Sequence, residues 1–351
     1  MNPLVLSLLL LSLGLGTTIT FMGSHWLLIW MGLEINTMAI IPLMIHQQHP
    51  RAVEATTKYF LTQATASALL LFAGTTNAWT TGQWNITDML SPTSATLITL
   101  ALALKIGLVP MHFWLPEVLQ GLNLTTGLIL STWQKLAPFA ILFQLYPLLN
   151  PNILMTLGIA SIIIGGWSGL NQTQLRKILA YSSIAHLGWM ITIIHFAPNL
   201  ALLNLTLYII MTTSMFLLFN TLNSTKINSI SVSATKSPLL SIMSLITLLS
   251  LGGLPPLSGF MPKWLILQEM TKQGLLVPAT IQALATLVSL FFCVRVCYMT
   301  TLTISPTPIF FLSSWQKKTT QMNILLTITT SLSILLLPLT PTLLMLFAEE
   351  N

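Results

Sequence analysis

ALALKIGLVPMHFWLPEV, residues 101–118, lies inside a long apolar run yet carries Lys105, Pro110, His112 and Pro116. Proline removes a helix donor and clashes with the preceding turn, so this segment reads as a discontinuous helix. A second stretch, SLGGLPPLSGFMPKW at residues 250–264, has the same character and carries Lys263. An ammonium beside a helix break, twice in one chain, is the feature any fold must explain.

The surroundings are apolar. Of 351 residues, 54% are hydrophobic and only 6% charged, with mean hydropathy +0.83. Soluble domains carry about 25% charged residues, so a water-exposed globular fold is excluded. The length suits a bundle of spans of about 20 residues each. Hydropathy places eleven, near 3–22, 26–45, 58–79, 95–120, 124–147, 152–170, 174–196, 200–221, 238–269, 276–302 and 322–346. The fold class is therefore all-α and polytopic, and residues 1–351 form a single membrane domain. The first segment, MNPLVLSLLLLSLGLG, lacks a basic n-region and reads as a retained span. The links, including NSTKINSISVSATKSP at 223–238, read as turns.

Net charge is +6, but scattered through the loops without the basic patch that nucleic acid requires. With the N-terminus on one side, that side receives Arg51, Lys58, Arg176, Lys177, Lys226, Lys236, Lys317 and Lys318. The other receives Lys272, with Asp88 and the tail Glu349–Glu350. Such asymmetry orients the chain, basic face to the cytoplasm or its equivalent. The two broken spans are the fourth and ninth, five apart, so they run in opposite directions. That predicts two inverted five-helix repeats, about 1–148 and 151–303, plus an additional helix near 320–346.

Four charges stand at depth: Glu34, Lys105, Lys135 and Lys263. Each costs at least about 2.5–3.5 kcal/mol in a bilayer, so such residues face a wet interior and mark proton or ion paths. One glutamate cannot neutralise three lysines. The excess lysines must lose a proton or sit in water, which is relay behaviour, whereas a single Glu–Lys pair would only fix register. His186, in AYSSIAHLGWM, and His112, beside Pro110, are titratable groups that could join the relay or serve structure. His25, His46, His49 and His195 read as interfacial, Glu117 and Glu269 as solvated. Cys293 and Cys297, four residues apart on one apolar segment, make neither an easy disulfide nor a metal site.

No nucleotide loop, paired CxxC or HExxH occurs, so the chain has no engine of its own. Moving a proton uphill takes about 2.3 kcal/mol per 100 mV, and pairing a lysine with a carboxylate supplies about 1.36 kcal/mol per pKa unit over one to three units. The magnitudes match if something external drives the charges.

ALKIGLVPMHFWLPEV, WQKLAP, QTQLRKILAYSSIAHLGWM and LSLGGLPPLSGFMPKW resemble signature segments of the antiporter-like subunits of complex I, the proton-translocating NADH:ubiquinone oxidoreductase. HWLLIWMGLEINTMAIIPLM resembles the vertebrate mitochondrial members in particular. The resemblance spans essentially the whole chain. It implies the mitochondrial inner membrane, matrix on the basic face, the N-terminus there and the C-terminus in the intermembrane space. It assigns Glu34 as the acid of the second span, Lys105 as the lysine of the first broken helix, Lys135 as the central lysine and Lys263 as the exit lysine; His186 matches a polar axial position. It further implies no cofactor in this chain, with FMN, iron–sulfur clusters and ubiquinone in partner subunits. The partners would be neighbouring antiporter-like and small core subunits, and membrane lipid, cardiolipin being a candidate. Bacterial members carry further spans at the start, so other subunits or lipid would fill the open face. Span seven offers His186 where symmetry with Glu34 would ask for an acid, which makes the two half-channels inequivalent. The rival expectations are a free-standing cation/proton antiporter and a scaffold whose lysines only fix packing.

Overall fold

The computed structural model describes residues 2–46, 49–88, 90–303, 324–342 and 345; Lys317, Lys318, Glu349 and Glu350 lie outside them. The described residues are helical, with two isolated β-bridges and no strand. Six helical stretches are long and apolar enough to cross a membrane: 3–22, 26–45, 124–148, 151–169, 198–221 and 276–302. Shorter apolar helices cover 92–106, 238–252 and 324–335. The chain divides into two compact units, Met1–Ser161 and Ile162–Asn351.

The first unit holds α1 (Pro3–Met22), α2 (Trp26–Ile45), α3 (Pro50–Thr81), α4 (Pro92–Ile106), α5 (Trp114–Gly121), α6 (Leu124–Ser131) and α7 (Trp133–Leu145). α1 and α2 cross where small residues meet: a Cβ on Gly32 would lie 3.0 Å from the Gly16 carbonyl oxygen and 2.7 Å from Thr20 Cγ2. Small residues let membrane helices approach to backbone contact, where dispersion and polar contacts replace the absent hydrophobic drive. α3 runs for 32 residues, about 48 Å, which is longer than a hydrocarbon core of about 30 Å.

The first break is built on Gly107. It takes φ 85°, ψ 45°, a left-handed cap that glycine adopts without steric cost, and closes α4 through its N–H on the Ala103 carbonyl at 2.9 Å. A cis Val109–Pro110 bond follows, and the helix resumes at Trp114, whose Nε1 donates to the Leu104 carbonyl at 3.1 Å and ties the halves together.

α8 (Pro151–Gly169) contains the division between the units. The second unit continues with α9 (Leu175–Ile193), α10 (Pro198–Thr221), α11 (Ile227–Lys236), α12 (Pro238–Gly252), α13 (Phe260–Lys272), α14 (Leu276–Leu302) and α15 (Ile324–Leu335). α9 is its most enclosed helix, buried at every position from Ser182 to Ile193.

The units share local geometry. α4 and α12 are both 15 residues long, start on proline and end at a glycine with φ 85°, ψ 45°. Counting from Gly107 and Gly253, prolines stand three and nine residues on, at Pro110 and Pro256 and at Pro116 and Pro262. The resumed helices begin seven residues on, at Trp114 and Phe260. A β-bridge precedes the second helix of each set, His25 with Asn85 and Gln174 with Lys226. The charges do not follow suit: ten residues after the glycine stands Glu117 in one unit and Lys263 in the other.

Two features depart from the sequence expectation. Residues 227–236, expected as a turn, form α11, capped by Ser229 Oγ accepting from the Lys226 N–H at 3.1 Å and seated by the fully buried Ile230. The fifth span, expected to be continuous, is interrupted at Thr132, with φ −112°, ψ −66°. Pro138 lies six residues on; a proline ring there crowds the Gln134 carbonyl and leaves it without a helical donor, which distorts the turn before it.

Candidate functional site

The end of α4, the middle of α2 and the start of α7 converge in the first unit. Lys105 sits in the last turn of α4, two residues before Gly107, and Lys135 in the first turn of α7, three after the Thr132 break. Both are 6% exposed, and both line one cavity of about 20 Å³ with Asn36, Thr37, Tyr59, Gln63, Trp114 and Gln134. That is room for about one water. Lys105 Nζ is buried with no hydrogen-bond partner among the described residues.

Glu34 does not line this cavity. It is half-buried on α2, and its Oε2 accepts from the Thr37 hydroxyl at 3.1 Å, Thr37 being a cavity residue. Its charge still acts on both Lys105 and Tyr59. Thr37 thus touches Glu34 and lines the cavity of Lys105, a neighbour that counting charges did not identify.

The second unit assembles His186 and Lys263 around the broken end of α12. Lys263 Nζ donates to the Gly252 carbonyl at 2.8 Å, and His186 Nε2 meets the adjacent Leu251 carbonyl at 3.1 Å. Carbonyls freed at a helix C-terminus carry partial negative charge and favour a cation. A cavity of about 10 Å³ is lined by both, with Ser182, Trp189, Ser289 and Cys293. Tyr208 stacks obliquely on His186 at 5.7 Å and hydrogen-bonds Ser183. The same carbonyl is used in the first unit: Gln63 Nε2 donates to Lys105 O, two residues before Gly107, as His186 reaches Leu251 O, two before Gly253.

His112 is buried between the halves of the first broken helix, but lines neither cavity, and its Nδ1 has no hydrogen-bond partner among the described residues. Glu117 is exposed as expected and also ion-paired: Lys58 Nζ lies 2.7 Å from Glu117 Oε2 and 2.7 Å from Glu54 Oε1. Lys58 hydrogen-bonds Glu54 and holds its carboxyl below the usual range. Exposed pairs contribute little and are screened by salt. Lys58→Met is accordingly expected to leave the thermal midpoint and assembly unchanged within error, which a melting curve at two salt concentrations checks. His25 and His49 do more than sit at span ends, since Nδ1 of each caps the following helix by accepting from Leu27 N and Arg51 N at 3.2 Å. Cys293 and Cys297 are free thiols, Cys293 buried.

The residues that charge-counting missed are the neutral polar ones: Asn36, Tyr59, Gln63 and Gln134. An amide at depth is itself costly in lipid, a signal that flags Asn36 in LEINT and Gln134 in TWQK.

Residues 23–289 match the family described as NADH:quinone oxidoreductase/Mrp antiporter, TM, and residues 290–344 match NADH dehydrogenase subunit 2 C-terminus. The NADH-ubiquinone oxidoreductase chain 2 of Squalus acanthias is 75% identical over 346 residues, 99% of each chain, and that of Scyliorhinus canicula is 71% identical over the same span. A chain of respiratory complex I from Thermus thermophilus with bound aureothin has TM-score 0.85 at 25% identity, covering 98% of this chain and 80% of that one. A chain of the membrane-bound sulfane sulfur reductase, an archaeal respiratory membrane complex, has TM-score 0.85 at 20% identity, covering 97% and 74%. With its lysine-bearing broken helices and these relatives, the chain belongs to the NADH:quinone oxidoreductase/Mrp antiporter membrane family, in its chain 2 branch.

Proposed function

We propose that this chain carries protons across the mitochondrial inner membrane as a subunit of respiratory complex I, driven by electron transfer in partner subunits that hold the redox cofactors. The observation that carries the reading is the pair of buried lysines, Lys105 and Lys135, lining one water-sized cavity within reach of the Glu34 charge. Protons enter from the matrix and reside on Lys105 and Lys135. They then use His186 and Lys263 before release. A carboxylate charge favours the charged form of a lysine, so a change at half-buried Glu34, imposed by a neighbouring subunit, loads or unloads Lys105. The eleven-span, inverted-repeat organisation with a matrix N-terminus belongs to the same reading. It is supported by the matched Gly107 and Gly253 caps.

Glu34→Ala in the assembled complex is expected to lower the proton-to-electron ratio while NADH oxidation in uncoupled membranes continues. The ratio is read as proton uptake by vesicles against NADH consumed. An unchanged ratio with normal assembly overturns the proposal. Sodium–proton exchange by the purified chain in liposomes without NADH would establish the antiporter reading instead.

A further inference from the structure

Asn36 is 2% exposed, and both its Oδ1 and Nδ2 are buried with no hydrogen-bond partner among the described residues. Leaving such a group unsatisfied costs about 1–3 kcal/mol per atom, so an amide kept there has work outside the protein's own bonding. It lines the cavity shared by Lys105 and Lys135. The other two carboxamides of that cavity have their nitrogens engaged on backbone: Gln63 Nε2 on Lys105 O at 3.4 Å and Gln134 Nε2 on Asn36 O at 3.3 Å. Space for the Asn36 side chain is kept by α1. A Cβ on Gly16 would stand 3.1 Å from Asn36 Oδ1 and 3.0 Å from its backbone nitrogen.

A carboxamide accepts through oxygen and donates through nitrogen. It can therefore serve a water whichever of the neighbouring lysines is charged. We infer that Asn36 is a positioning residue: it holds the single water that the cavity admits and aims it between Lys105 and Lys135. The Lys105 ammonium gives a proton to the water oxygen as the water gives one of its own to the Lys135 amine. One proton moves, the water is regenerated, and the lysines exchange charge. This inference rests on the relay reading above.

Packing and positioning predict opposite outcomes at this residue. Asn36→Leu keeps the branched side-chain shape and removes every donor and acceptor; Asn36→Ser keeps a donor and an acceptor and opens space for a second water. In the assembled complex, Leu is expected to slow proton delivery through this chain by about tenfold or more, with Ser restoring most of it. Each proton rate is read against the NADH oxidised by the same preparation. Normal pumping with Leu, or a worse defect with Ser than with Leu, overturns the role. Lys105→Met run in parallel separates the levels: a defect there without one in Asn36→Leu sinks only this inference, and normal pumping in Lys105→Met sinks the relay itself. Should the Leu variant not assemble, a map of the intact complex that resolves waters decides. A water within hydrogen-bond distance of Asn36 Oδ1 or Nδ2 supports the role, and a dry cavity overturns it.

Discussion

Complexes carrying Lys105→Met should be at least as stable as unaltered ones and should pump markedly fewer protons per electron. Methionine follows the lysine stem closely in length and shape. What it removes is a buried ammonium without a hydrogen-bond partner among the described residues, a group that costs about 2.5–3.5 kcal/mol in a bilayer. Removing an uncompensated charge relieves that cost. Lys105 is also the one ionisable side chain on α4, so its loss empties that helix of proton-carrying capacity. A positioned proton-transfer group is worth about 10²–10⁴-fold in rate, and transfer through the first cavity should fall within that range. Thermal midpoint and proton-to-electron ratio, measured on the same preparation, should move in opposite directions. A purely structural lysine would produce the reverse pairing: lower stability and intact pumping.

Gly259→Ala should fail for a different reason. Gly259 precedes α13 with ordinary helical φ of −69°, so backbone freedom is not the issue. A Cβ built there would overlap the Ser250 carbonyl oxygen and lie 2.9 Å from its carbon. Backbone cannot swing aside like a flexible side chain. The start of α13 would have to separate from the end of α12, carrying Lys263 off the Gly252 carbonyl. Overpacking a core costs about 1–3 kcal/mol, and a backbone clash this deep belongs at or beyond the upper end. Expected results are a large drop in assembled complex and in thermal midpoint. Gly14→Ala is the control: nothing lies within 4 Å of its added methyl, and alanine is the better helix former by about 0.5–1 kcal/mol.

The spans were legible where composition is monotonous. α1 and α2 run over 3–22 and 26–45 as read, because mainly apolar residues run in two stretches of span length, the first opened by Pro3 and the two parted at Gly23. The breaks were legible too, since Gly107 with Pro110, and Gly252 and Gly253 with Pro255 and Pro256, gather loosened backbone and missing donors within about one turn. α11 was not, because its Ser and Thr residues carry loop chemistry and only three-dimensional burial of Ile230 selects a helix. The Thr132 interruption was hidden behind Pro138, a residue that helices such as α2 with Pro42 accommodate without stopping. At the site, lysines and Glu34 announced themselves by charge. Asn36, Gln63 and Gln134 did not, because neutral amides are common, and their convergence depends on which helices meet.

The carbonyl that meets His186 sets a polarity on that ring. Leu251 O carries no hydrogen, so the hydrogen in this bond resides on Nε2 and the lone pair on Nδ1. In the relay proposed above, a proton reaching the neutral imidazole would attach at the Nδ1 edge, while the one released toward the α12 terminus would depart from Nε2. Arrival and departure then involve different hydrogens at opposite edges, and the ring must return to its starting tautomer before it can act again.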